Sequence, residues 1–305
     1  KGKWVGRIFA FPFQLVYVAY WAFVTAIVVR TFGEVVVTAV LTNTPLEVIV
    51  GTMLLLCLLL SLYRFEVVAR VNEVLLLFIV VPALGISLSS FQSARFEFIQ
   101  PFWPTGHWLD IAKGTMPAMT TYLGFETMLL VNGHIERNKT LLKPQVYGVI
   151  TPGVLYLLIV LAGTMAFGYE ELIRQAWPTL ELIKSVTVPG LILERLEAVF
   201  LGVWVAAVFT TAGNWFYSAN WMVSEMFSLK RRQWSAVPLA IAIYYIAMST
   251  GNIHELFAIT DTISYLGMVV AFGLPLLFLV LAMVRKMDGR KEQQPPKEES
   301  TREAG

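Results

Sequence analysis

Glu126 is the residue with the most chemistry to offer. It lies at about mid-depth of an apolar stretch, residues 113–134 (KGTMPAMTTYLGFETMLLVNGH), long enough to cross a bilayer. That stretch is nevertheless a poor helix. Gly114 and Pro117 sit near its start, Gly124 in its middle and Gly133 at its end, and Thr120, Thr121 and Tyr122 form a polar run just before Gly124. A broken helix presents N–H and C=O groups that hydrocarbon cannot satisfy, so such a break must face protein or a wet cavity. A carboxyl at that depth is costly and by default functional. It is read here as a proton-titrating or cation-binding group beside the break, or else as a carboxyl bonded to a neighbouring helix.

Other polar residues recur at helical spacing. Thr210, Asn214, Tyr217, Trp221 and Glu225 follow one another at intervals of four, three, four and four, which puts them on one helix face. The stripe either lines a polar pathway or makes hydrogen bonds between helices. Gly202, Ala206 and Gly213 would let another helix approach. Gln14, Tyr17, Trp21 and Thr25 form a similar face, for which ring packing is the alternative. Glu66, Arg70 and Glu73 read as an ion-pair cluster at a helix end, as do Glu194, Arg195 and Glu197. Asp261, before Thr262 and Ser264, reads as a helix cap.

Enzyme chemistry finds little support. His107, His134 and His254 sit in or beside loops without metal-ligand spacing, and no phosphate-cradling Gly-rich loop, Gly-x-Ser-x-Gly or His-Glu-x-x-His occurs. No catalytic residue, metal or cofactor is expected. The single cysteine, Cys57, lies in an apolar run and reads as an inert buried thiol.

The elements that must position these residues are membrane helices. Of 305 residues, 57% are hydrophobic and 14% charged, with mean hydropathy +0.66; a soluble chain carries roughly 25% charged residues. A net charge of +2 is too small to imply nucleic acid. Eight spans are expected, near residues 8–29, 46–62, 67–88, 111–131, 146–167, 191–214, 235–248 and 262–284. The first should continue to residue 40, pairing Arg30 with Glu34. The sixth should run on to Phe227, and the seventh is short. With both ends on the cytoplasmic side, 17 of the 23 Lys and Arg residues fall inside, as the positive-inside rule requires. Residues 169–188 are amphipathic and interrupted by Pro178, and read as one or two short outer helices on the membrane face. Residues 1–286 then form the transmembrane domain and 287–305 a disordered cytoplasmic tail. The chain opens KGKWVGR, without Met or a signal-peptide layout, and further sequence upstream is expected.

Three stretches carry a family resemblance. YLGFETMLLVNGHIE resembles the sixth, broken helix of the amino acid–polyamine–organocation transporters. PTLELIKSVTVPGLILERLEAVFLGVWVAAVFTT resembles the signature stretch of bacterial spore germination permeases, the B subunits of germinant receptors. SLYRFEVVARVNEVLLLFIVVP is similar to their fifth helix. The likeness covers residues 4–284. It implies an all-α, leucine-transporter-like fold of two inverted repeats, here with eight of the ten helices. The first two would be absent, leaving an open groove and marking the chain as a fragment.

Carried over by position, the resemblance puts a ligand site on Thr120, Thr121, Tyr122, Gly124, Phe125 and Glu126. Tyr20 and Val24 of the first span and Thr210, Thr211 and Asn214 of the sixth complete it. The implied function is a nutrient-receptor subunit of the spore inner membrane. It would bind a small germinant, an L-amino acid, and trigger germination with partner subunits. A proton-coupled amino acid symporter is the alternative, and a scaffold without its own ligand is a third reading.

Overall fold

The computed structural model describes residues 2–100, 108–134, 142–185 and 196–284. The tail at 287–305, His107, Glu194 and Arg195 lie outside the described residues, as do the side chains of His134 and Glu197. Among the described residues every regular element is helical: α1 (Gly2–Ala39), α2 (Leu46–Ser61), α3 (Phe65–Ser89), α4 (Trp108–Thr120), α5 (Met128–His134), α6 (Leu142–Phe167), α7 (Tyr169–Leu172), α8 (Pro178–Ser185), α9 (Leu196–Met226), α10 (Gln233–Met248), α11 (Ile253–Met268) and α12 (Leu274–Val284).

Five helical segments are long and apolar enough to cross a membrane: Ala10–Thr38, Phe65–Gln92, Lys143–Phe167, Val199–Met226 and Ile253–Val284. They leave side chains such as Leu77, Phe78 and Leu157 exposed, a surface suited to lipid. The chain is a polytopic membrane protein. Helices α2 and α10 have 16 residues each, about 24 Å, which is shorter than a hydrocarbon core of roughly 30 Å.

Helices α1 and α9 are the centre of the bundle. They pack on each other, and both touch α2 and α10; α3 adds to α9 and α11 to α1. Their shared core joins Val29, Val50, Cys57, Ala212, Phe216 and Ile243, all fully buried. Gly213 permits the close approach of α2, since a Cβ there would stand 2.9 Å from the Leu60 side chain. Gly202, by contrast, has open space where its Cβ would be, so no helix among the described residues uses it for close approach.

Buried polar groups pin these helices laterally. The Ser235 hydroxyl donates to Asn220 Oδ1 at 2.6 Å, and Asn220 Nδ2 donates to the Ser61 hydroxyl at 3.4 Å. Ser224 and Ser235 share a hydrogen bond at 3.0 Å. This set links α2, α9 and α10. The Arg30–Glu34 pair forms at 2.7 Å, with Arg30 also reaching the Met248 sulfur at 3.7 Å.

Three expectations change. Asp261 caps nothing: the last helical body starts at Ile253, and Asn252 caps it by accepting from the Glu255 N–H at 2.8 Å. Glu255 Oε2 in turn accepts from the Gly251 N–H, a reciprocal box that the Asn-x-x-Glu spacing encodes. Glu66 pairs with the exposed Arg64 at 3.6 Å, so the expected cluster with Arg70 and Glu73 is replaced by a contact across the helix start. Third, the amphipathic segment folds as α7 and α8, but α8 buries Leu180, Leu182 and Ile183 against α6, α9 and the turn at Ser90–Ser93. Its apolar face meets protein.

Asn220→Ala is expected to lower stability by about 1–2 kcal/mol, read as a lower midpoint of thermal unfolding in detergent. The loss stays modest because Ser61 and Ser235 keep backbone acceptors, Leu58 O and Arg232 O.

Candidate functional site

The broken helix is built around Gly124. Beyond α4 the chain leaves the α-helical ladder for tighter bonds, with the N–H groups of Thr121, Tyr122 and Leu123 donating to the carbonyls of Ala118, Met119 and Thr120. Pro117 cannot donate, and Gly124 adopts φ +118°, a conformation that side-chain-bearing residues rarely enter. The chain resumes through a 3₁₀ turn at Phe125–Thr127 and enters α5.

The Glu126 carboxylate closes this break from within. It is 1% exposed. Its Oε2 accepts from the Gly124 N–H at 2.7 Å. Its Oε1 accepts from Trp215 Nε1 on α9 at 3.0 Å and from Trp21 Nε1 on α1 at 3.3 Å. Two indoles and one backbone amide thus stabilise a carboxylate whose uncompensated burial would be prohibitive. The Trp215 ring also lies against Gly124, 3.4 Å from where a Cβ would stand. Nothing in the sequence set Trp215 apart from eight other tryptophans. The clue was its place beside the Thr210–Asn214 stripe, on the helix that the resemblance put across from the break.

A second helical irregularity faces the first. The last helical body carries a π-helical turn at Val269–Gly273, between α11 and α12. Tyr17 on α1 donates to the Val270 carbonyl at 3.1 Å, and Phe125 packs on Phe272 with ring centroids 4.9 Å apart. Gly267 makes room for the Tyr20 ring and Leu123: its Cβ would fall 2.6 Å from the Tyr20 hydroxyl. That hydroxyl is buried without a hydrogen-bond partner.

The residues named from sequence therefore divide. Tyr20, Val24, Gly124, Phe125 and Glu126 gather around the break, with Trp21 and Trp215 between them. Asn214 faces elsewhere and accepts from Asn72 Nδ2 on α3 at 2.8 Å. It lines a cavity of about 280 Å³ with Asn72, Thr127, Tyr217 and Trp221, against the far side of the break. The Asn72 Oδ1 in that wall is buried and unpartnered. Thr210 returns its hydroxyl to the Ala207 carbonyl of its own helix, and Thr211 is exposed. Thr120 and Thr121 likewise bond back to Pro117 and Ala118. Tyr122 turns toward α6, packing edge-on to Tyr156, and borders a groove of about 820 Å³ between the break and α6.

A broken helix clamped by a buried carboxylate, within a bundle of helices long enough to cross a membrane, is the arrangement in which permease-type folds place their sites. The sequence profile of the family described as spore germination protein matches residues 1–256, and the chain belongs to this spore germination permease family. It is 28% identical over 286 residues to spore germination protein YndE of Bacillus subtilis (strain 168), covering 93% of this chain and 77% of that one. It is 26% identical over 287 residues to spore germination protein A2 of the same strain, covering 94% and 77%. It is 24% identical over 282 residues to spore germination protein GerQB of Bacillus cereus, covering 92% and 75%.

Glu126→Gln places an NH₂ group opposite either the Gly124 amide or the two indoles. It is expected to cost about 1–3 kcal/mol and to expose the break to hydrogen exchange. Trp215→Phe leaves the carboxylate two donors and should cost less; equal losses, measured by thermal unfolding, would contradict the clamp.

Proposed function

We propose that this protein is the ligand-binding membrane subunit of a germinant receptor, that it binds a small zwitterion of the L-amino acid class at the break, and that it acts with partner receptor subunits in the spore inner membrane. Family membership supports a germination role. The observation that carries the ligand site is the pair of buried, unpartnered polar atoms, the Tyr20 hydroxyl and Asn72 Oδ1, set on either side of the broken segment. Each unpaired atom costs about 1–3 kcal/mol, which a polar ligand that reached it would recover. The break supplies backbone amides and carbonyls suited to a carboxylate and an ammonium group.

The proposed mechanism is a population shift. Glu126 ties the break to α1 and α9 at once. A ligand that prefers one arrangement of the break therefore biases the two central helices, and through them the partner subunits. The frame would be leucine-transporter-like, with α1 as the third of its ten helices and both ends of this chain facing the cytoplasm.

A proton-coupled amino acid symporter is the second reading, favoured by the burial of Glu126 at the break. Purified protein in liposomes separates the two: saturable binding of labelled L-amino acids without gradient-driven uptake supports the receptor. Uptake that Glu126→Gln abolishes, while exchange survives, supports the symporter. Tyr20→Phe is expected to weaken binding about tenfold without lowering the unfolding midpoint measured in the absence of ligand, because it deletes a buried hydroxyl that has no hydrogen-bond partner. Unchanged binding would remove Tyr20 from the site.

A further inference from the structure

Two loops far apart in the chain meet at one end of the bundle. One joins α2 to α3 and carries Arg64; the other joins α9 to α10 and carries Arg231 and Arg232. They enclose a cavity of about 490 Å³, whose wall holds these three arginines, Glu66, Tyr217 and Gln233. Glu126 does not line it, and Phe65 and Tyr217 separate it from the smaller cavity against the break.

Two helix starts border this cavity, and only that of α3 has an acidic residue, Glu66, in its first turn. Arg64 occupies the cap position of α3 and Arg232 that of α10, and neither helix has a side-chain acceptor for its first-turn amides. Helix N-termini carry partial positive charge and favour Asp, Ser, Asn or an anion. Here two such termini and three guanidinium groups border one space. The carboxylate in the wall, Glu66, pairs with Arg64 at 3.6 Å, with both side chains largely exposed. Arg231 makes no ion pair among the described residues. Arg232 is held in place: it donates to the Tyr217 hydroxyl at 2.9 Å and its guanidinium lies 5.8 Å from the Tyr217 and Trp221 ring centroids.

We propose that this cavity is an anion site that takes a phosphate group. Guanidinium forks match phosphate oxygens, and the partial positive charge of two helix starts adds to theirs. The same chemistry serves the headgroup of an anionic phospholipid at the bilayer rim or a soluble phosphate compound.

The test uses the intact chain in detergent, titrated with phosphatidylglycerol and with phosphatidylcholine, the bound lipid being counted by native mass spectrometry. Inorganic phosphate is titrated separately against the unfolding midpoint. Preference for phosphatidylglycerol that falls about thirtyfold in the Arg64→Gln, Arg231→Gln double variant establishes a lipid headgroup site. A saturable rise in midpoint with inorganic phosphate, lost in the double variant and without lipid preference, establishes a soluble phosphate site. No preference and no rise, or effects that the double variant keeps, overturn the proposal. Should the double variant fail to fold, Glu66→Gln decides: it removes the carboxylate from the wall and must tighten whichever anion binds by about fivefold.

Discussion

A carboxylate in a dry helical interior is tolerated only when donors surround it, and much of this structure follows from meeting that requirement for Glu126. The Gly124 amide is available to it because the helix is broken there; an intact helix would have committed that N–H to its own ladder. The two indoles reach it from α1 and α9, the helices with the largest shared core. Stabilising the acid, breaking the helix and joining the central pair are therefore one arrangement. A change in the break is felt by the middle of the bundle because one carboxylate serves both, Oε2 the break and Oε1 the two indoles.

The π-helical turn complements this. A bulge in the last helical body brings Phe272 against Phe125 and presents the Val270 carbonyl to Tyr17. Two irregular segments thus face each other across α1, and the small residue Gly267 lets the Tyr20 ring fill the space between them. Glu126 at the break and Val270 and Ala271 in the bulge are buried against protein, as a hydrocarbon surround demands of irregular backbone. Around this region the bundle is loosely closed on the α6 side, where Tyr122 and Tyr156 border an open groove, and tightly closed on the α2 and α10 side, where Asn220 and three serines bind the helices together.

Polar residues in the spans do two different jobs. Ser61, Asn220, Ser224 and Ser235 satisfy one another, and each bond has a partner on a second helix, which is the usual means of holding membrane helices in register. Tyr20 and Asn72 break that pattern by leaving buried atoms unpaired. Residue type alone does not reveal which of these a position does, since threonines at the break and on α9 spend their hydroxyls on their own helices.

Composition and spacing in the sequence determined the membrane class, the helical runs, the break at Gly124 and the Arg30–Glu34 pair. All of these are local or compositional: a break needs Gly and Pro nearby, and a span needs an apolar run. The partners of Glu126 were decided by tertiary structure. Trp21 and Trp215 lie 105 and 89 residues away in sequence, and the period of a helix says which residues share a face without saying what that face meets. For the same reason Asn214 turned to Asn72 on α3, although it adjoins Trp215, because successive residues point about 100° apart around a helix. Asp261 read as a cap because the hydrophobic run begins there, whereas the helix starts earlier at the capping box of Asn252 and Glu255. The meeting of Arg64 with Arg231 and Arg232 was likewise invisible in the chain order: each loop looked like an ordinary basic flank, and only the packing of α2, α3, α9 and α10 set their charges around one cavity.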